Sequence, residues 1–390
     1  MNPNNDTPSI RFAGFTDAWE QREVGEWGEF YYVKSAPKWS VSDDAPTPCI
    51  RYGELYTKFG CKVDRVYSYT NIPPEKLVFS KGTEVLVPRV GEDPMDYNHC
   101  TWLSLKGVAI GEMISVYNTQ QNPLFTAIMF NATLQEEFAK RVEGGSVTNL
   151  YYDKLKNISV SFPSLEEQSK IAAVFENIDL LITLHQRKYD QLVNIKKSML
   201  EKMFPKNGEQ VPEVRFAGFT DAWEQRRLCD ENTEMLAGGD VDKSRLKEQG
   251  KYPVIANALT NDGIVGYYDT EYRVKAPAVT VTGRGDVGHA KARHVDFTPV
   301  VRLLSIKSPH DVHFLENAIN TLRIVIESTG VPQLTVPQLS QYELRFPNEI
   351  GEEQKIGQFF RNLDTLITLP QRKLERLQNI KKACLEKMFV

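Results

Sequence analysis

EEQSKIAAVFENIDLLITLHQRKYDQLVNIKKSMLEKMF, residues 166–204, occurs a second time as EEQKIGQFFRNLDTLITLPQRKLERLQNIKKACLEKMF at 352–389. After a one-residue gap the copies align to their ends, sharing LITL, QRK, NIKK and LEKMF. In the first, Ile171, Val174, Ile178, Leu181, His185, Lys188, Leu192, Ile195 and Met199 recur with a seven-residue period. The second gives Ile356, Phe359, Leu363, Leu366, Pro370, Lys373, Leu377, Ile380 and Cys384, with Tyr189 and Leu374 widening the stripe beside its weak positions. Apolar seams of that period are what two helices need to pack along their length. Two in one chain most simply bury against each other. At about 1.5 Å per residue each spans about 55–60 Å, more than a globular core requires. Pro370, in the place of His185, predicts a kink in the second helix or a cost of about 3 kcal/mol.

Working outward, RFAGFTDAWEQR occurs at 11–22 and, letter for letter, at 215–226, each time after a Pro and a short apolar lead. Its spaced aromatics, Phe12, Phe15 and Trp19, suit an anchor packed at the base of the long helices. SVTNLYYDKLKNISVSFP (146–163) likewise matches GVPQLTVPQLSQYELRFP (330–347), while the bodies at 23–145 and 227–329 do not align. The order is therefore domain, helix, domain, helix: 1–165, 166–205, 206–350 opening on a polar linker at 206–212, and 351–390. CIRYGELYTKF, KLVFSKGTEVLVPRVG, GVAIGEMISVY, KYPVIANALTNDGIVGYY and APAVTVTGRGDVGHAKARHVDFTPVVRLLSIK read as strands joined by Gly- and Pro-marked turns. Helices are expected at 123–142 and 311–328. The fold class is α+β, with two mixed globular domains separated by a pair of long antiparallel coiled-coil helices in a pseudo-two-fold repeat.

The 390 residues suffice for two or three domains, and 41% hydrophobic with 25% charged residues is ordinary for a soluble protein. No apolar run approaches the about 18 residues of a membrane span, and MNPNNDTPSI lacks the features of a secretory signal. Five scattered cysteines without a CxxC pair argue for reduced thiols in a cytoplasm and against a zinc site. A net charge of −4 gives no whole-chain signal for nucleic acid. Locally, however, seven Lys/Arg face two Asp between Arg273 and Lys307, and local basic surface is what phosphate contact requires.

Motifs for chemistry are weak. Gly283, Gly285 and Gly288 form a GxGxxG after a strand-like run, but HAKARHVDF follows where a dinucleotide site needs a helix, so a turn is the better reading. Asn122–Phe125 (NPLF) lacks the second Pro of an amino-methyltransferase tetrapeptide. No Ser/His/Asp, Walker or nuclease-like cluster stands out. The basic helix ends, Arg187, Lys188, Lys196, Lys197 and Lys202 with Arg372, Lys373, Lys381, Lys382 and Lys387, fit either a solvated face near the negative dipole end or contact with phosphate or an acidic partner.

Two variable domains, each opened by RFxGFxxxWEQR and closed by a long helix bearing EEQ, LITL, QRK, NIKK and LEKMF, closely resemble the specificity subunit of type I restriction-modification enzymes. The resemblance covers the whole chain. It implies that each domain is a target-recognition domain reading one half of a split double-stranded DNA sequence. The antiparallel helices would fix the spacing and dock two modification (methyltransferase) subunits, which the restriction/translocase subunits join. This chain would then be a non-catalytic, cytoplasmic subunit, not membrane-bound. S-adenosylmethionine, ATP and Mg2+ would belong to its partners. Half-sites about one helical turn apart need a spacer of roughly 34–36 Å, and unlike bodies imply an asymmetric target.

Arg suits guanine and Asn suits adenine in the major groove. Arg51, Tyr52, Lys58, Arg65, Arg89 and Asn98 are the candidates in the first domain. Asn257, Thr260, Asn261, Arg284, His289, Lys291 and Arg293 are those in the second. Each also fits a phosphate contact or a solvated loop. Two other functions compete: a stand-alone adenine DNA methyltransferase, for which a full NPPY-like motif is missing, and a coiled-coil adaptor that binds proteins and no DNA.

Overall fold

A computed structural model describes residues 7–33, 36–206, 208–230, 232–325 and 333–389. The chain divides into two compact units, Met1–Leu184 with Leu374–Val390, and His185–Lys373. The division falls inside the long helices, Leu165–Met203 and Ile350–Lys387. Each unit thus holds one globular body, the start of the helix that follows it and the end of the other helix. Among the described residues no helix is long and apolar enough to cross a membrane, and all five cysteines are free.

The first unit carries a five-stranded sheet, in the order Gly28–Tyr32, Ile114–Thr119, Glu84–Pro88, Thr101–Leu103 and Lys62–Val63, and a four-stranded sheet. Val85, Leu86, Val87, Ile114, Val116 and Tyr117 fill its interior. Pro123–Thr133 is apolar on every side, and its residues Leu124 to Phe130 are all buried. Asn122 caps it, accepting from the Phe125 N–H at 3.0 Å. The second unit has sheets of four and three strands; the former is ordered Glu234–Ala237, Leu303–Lys307, Ala278–Thr282 and Ala290–Arg293. Its helix Val312–Asn320 is capped by Asp311, which accepts from His313 and Phe314.

The duplicated openers form duplicated clamps. Arg11 grips Glu167 at the start of the first long helix through Nε and Nη2, at 2.7 and 2.8 Å. Arg215 grips Glu352 at the start of the second with the same two distances. Glu20–Glu23 pairs antiparallel with Ser159–Phe162, and Glu224–Arg227 with Glu343–Phe346. Trp19 lies edge-on to Phe125 and Phe389, and Trp223 to Phe314 and Phe204. The Ile10 N–H reaches the Lys387 carbonyl at 2.9 Å, and Val214 reaches Lys202 at 2.9 Å. The openers therefore pack at the base of the long helices, as their aromatics predict.

Within each unit the two helix segments run antiparallel. Going from Phe175 to Asp179 along the first helix, the partners on the second fall from Phe389 to Lys381. In the second unit Phe360 and Asp364 meet Phe204 and Lys196. The two ion pairs, Asp179–Lys381 and Asp364–Lys196, are each 2.5 Å long and equivalent by the repeat. The Lys residues of the basic helix ends are thus partly committed inside the protein, Lys202 as well through Glu213.

Several expectations change. The inward seam of the first helix is Ile171, Phe175, Ile178, Ile182, His185, Tyr189, Leu192, Lys196, Met199 and Met203, all buried or half-buried, whereas Leu181, Lys188 and Ile195 are exposed. The second helix shifts identically, exposing Leu366, Lys373 and Ile380. The alignment gap also moves: since Arg11 selects Glu167 and Arg215 selects Glu352, the extra residue precedes the helix instead of following EEQ. YGELYT, expected within a strand, is the helix Tyr52–Thr57. The expected helix 123–142 breaks at Leu134, and that at 311–328 ends at Asn320, its residues 326–328 lying outside those described. Pro370 is buried, and helical structure continues through it.

Candidate nucleic-acid interface

In the second unit, hydrogen bonds gather the sequence candidates on two adjoining turns and on the strand Ala290–Arg293 that follows the second. One turn, 256–263, closes the hairpin of Tyr252–Ile255 and Ile264–Tyr268. The other, 283–289, joins Ala278–Thr282 to Ala290–Arg293 and contains the GxGxxG. It is a strand–turn–strand, with Gly285 and Gly288 at φ +76° and +92°. A Cβ on Gly283 would lie 2.2 Å from the Arg302 carbonyl oxygen, so the chains can approach only through glycine. Asn257 stitches the turns together: its Oδ1 accepts from the Gly283 N–H at 2.8 Å and its Nδ2 donates to the Val301 carbonyl at 3.0 Å. Arg293 donates from Nε to Thr280 Oγ1 at 3.0 Å and from Nη1 to the Asp262 carbonyl at 2.9 Å. Burial holds its guanidinium below the ordinary arginine range.

Asn257 and Arg293 therefore shape the face from within. Thr260, Asn261, Arg284, His289 and Lys291 are exposed on it. Lys291 Nζ stands 4.0 Å from Asp262, a loose contact that leaves most of its donors to solvent. Exposed cations on glycine-bearing turns can reach phosphates and base edges alike.

In the first unit, Arg51 and Lys58 flank the short helix Tyr52–Thr57, which Tyr52 opens, and Arg65 lies in the bend between Lys62–Val63 and Ser68–Thr70. The buried Glu54 fixes that helix, accepting from the Arg51 N–H at 2.7 Å and from Ser68 Oγ at 2.7 Å. Lys58 Nζ lies 5.8 Å from the Tyr67 ring, and Arg65 pairs with Asp64. Arg89 and Asn98 are held elsewhere. The Arg89 guanidinium is 4.4 Å from the Tyr32 ring and 5.4 Å from Tyr151; Asn98 donates to the Asn131 carbonyl at 3.2 Å. Two residues escaped the sequence reading. Trp39, 80% exposed in the turn Lys38–Ser40, sits next to Ser40, whose hydroxyl is 2.8 Å from Thr70 Oγ1. Leu259 is 54% exposed in the turn 256–263. In both cases the signal is an apolar residue within a turn-forming segment, with no periodic partner.

The model of the type I restriction modification DNA specificity domain matches residues 109–194 and 221–379. The chain belongs to the type I DNA specificity family. Among relatives in this specificity family, a Mycoplasma pneumoniae protein named as a type I specificity subunit is 27% identical over 231 residues, 55% of this chain. The chain spans 57% of that relative's length. A second such protein from the same organism is 25% identical over 265 residues, covering 60% of this chain and 71% of its own. The crystal structure of the S subunit of a type I restriction-modification system from M. genitalium superposes with a TM-score of 0.69 at 13% identity. That match covers 98% of this chain and 99% of the other, and speaks for the fold alone.

Proposed function

We propose that the chain is the non-catalytic, cytoplasmic DNA-specificity subunit of a type I restriction-modification complex, each unit reading one half of a split, asymmetric double-stranded target. The observation that carries this reading is one clamp built twice, Arg11–Glu167 and Arg215–Glu352, beneath two unlike surfaces. A repeated frame with different contents is what a reader of two different half-sites needs. Family membership supports it. The long helices set the spacing between half-sites and dock two modification (methyltransferase) subunits, which restriction/translocase subunits join. S-adenosylmethionine, ATP and Mg2+ act in those partners.

The test is a gel shift of the chain with its modification subunits on pooled genomic fragments. Salt-sensitive, sequence-selective retention is expected; retention without selectivity, or S-adenosylmethionine bound by the isolated chain in equilibrium dialysis, would count against the proposal. Arg284, exposed on the turn 283–289, is a proposed base reader. Arg284→Ala should weaken cognate binding by about 1–3 kcal/mol, and unchanged affinity removes it from the reading face.

The docking role draws support from LITL. In both copies its Ile (Ile182, Ile367) is half-buried toward the seam while Leu181, Leu184, Leu366 and Leu369 stand exposed. Paired exposed leucines on repeated segments are a surface for a partner helix. Leu181→Glu with Leu184→Glu should weaken capture of the modification subunit by about 2 kcal/mol or more without lowering Tm. Full co-purification of the partner would argue against docking there.

A further inference from the structure

We propose that Arg293 is a positioning residue for recognition by the second unit, locking a left-handed turn whose tip, Leu259–Asn261, reads the target, with Leu259 seated on a thymine methyl group. The inference rests on the DNA-reading function proposed above and assigns that function a reading element.

Three consecutive residues of the turn have positive φ: Asn261 at +50°, Asp262 at +51° and Gly263 at +76°. Asn and Asp tolerate this region better than other side chains, but a run of three is held only where the surroundings over-determine it. Gly263 is obligatory, since a Cβ there would lie 2.7 Å from the Ala256 carbonyl oxygen and 3.0 Å from that of Ala258. The Gly263 carbonyl accepts from the Ala256 N–H at 2.8 Å, and Asn261 Nδ2 donates to the Ile264 carbonyl at 3.0 Å. The decisive brace is Arg293 Nη1 on the Asp262 carbonyl, with Nε on Thr280 Oγ1.

Withdrawing a guanidinium from water to hold the carbonyl of a surface turn is costly. What the contact secures is one backbone geometry for the residues just before it. Ala258, Leu259, Thr260 and Asn261 are all exposed there. An isolated exposed Leu is unremarkable by itself. Here it crowns a braced turn, beside an amide and a hydroxyl and next to the turn that carries Arg284. In the major groove an apolar side chain meets one apolar feature, the thymine C5-methyl, while Thr and Asn offer the donors and acceptors that base edges match.

The experiment uses the full chain assembled with its modification subunits, selecting bound duplexes from a randomised pool. The wild type should enrich a bipartite motif with a thymine in the half read by the second unit. Replacing that thymine by uracil, which lacks only the methyl, should weaken wild-type binding about three- to tenfold and leave Leu259→Ala binding unchanged. Arg293→Gln should flatten preference in that half alone, with the other half and the Tm preserved, and Arg293→Lys, able to reach one of the two oxygens, should restore part of it. The inference is overturned by equal binding of thymine and uracil duplexes, or by Arg293→Gln losing both half-sites together with stability, which marks a merely structural arginine. A wild-type complex that enriches no sequence overturns the DNA-reading function itself, a result distinguishable from either.

Discussion

Arg215→Ala is expected to lower the stability of the second unit by about 3–5 kcal/mol, because it leaves the Glu352 carboxylate, 1% exposed, without its cation. The guanidinium meets both carboxylate oxygens in parallel, so Arg215→Lys, with a single point charge, should recover only part of the loss. The carboxylate also raises the affinity of Arg215 for its proton, chiefly through the shared hydrogen bonds. The double change Arg215→Met with Glu352→Leu removes the stranded charge along with its partner and should be far milder than Arg215→Ala alone. Urea unfolding followed through Trp223 provides the measurement. A loss below about 0.5 kcal/mol, the range of ordinary surface substitutions, would mean that the clamp is ornamental. Arg11→Ala should act on the first unit with the same size, since Arg11 and Arg215 have the same exposure, 13%.

Phe389→Ala should cost the first unit about 3–5 kcal/mol. This ring lies 6.4 Å from Trp19, 5.6 Å from Phe125 and 5.8 Å from Phe175, so it joins the opener, the body and the first long helix. Its removal opens a cavity where all three meet. The loss is local: hydrogen exchange should accelerate in Glu20–Glu23 and Ser159–Phe162 and remain at wild-type rates in Glu224–Arg227 and Glu343–Phe346. Equal acceleration in both pairs of strands would refute the assignment of Phe389 to a single unit.

The repeats made most of the frame legible. Twelve identical residues and a heptad period identify openers and helices regardless of what surrounds them. Finer registration was hidden where neighbouring positions offer equal choices. Val174 and Phe175, or Leu181 and Ile182, are both apolar, so the period holds whichever of them faces inward, and only packing decides. Two adjacent glutamates let an alignment slide by one until the arginine clamp chooses between them. YGELYT carries the aromatic and β-branched residues of a strand, yet Glu54 caps a helix with one oxygen while Ser68 holds the other. For the reading faces, sequence disclosed residue type but not partner. Arg89, Asn98, Asn257 and Arg293 have the chemistry of base readers, but each has its polar or cationic group engaged by distant protein groups.

The sharing of each long helix between the two units bears on biosynthesis. Everything the second unit needs, from His185 to Lys373, is synthesised before Phe389. Phe389 follows Lys373 so closely that both occupy the ribosomal tunnel together, so the first unit, although begun first, cannot close ahead of the second in the usual amino-terminal order. The first unit must keep Trp19, Phe125 and Phe175 uncovered until the last turn of the second helix arrives. During that wait the apolar seat stands open, and the helix end of a neighbouring chain of the same sequence fits it as well as the chain's own.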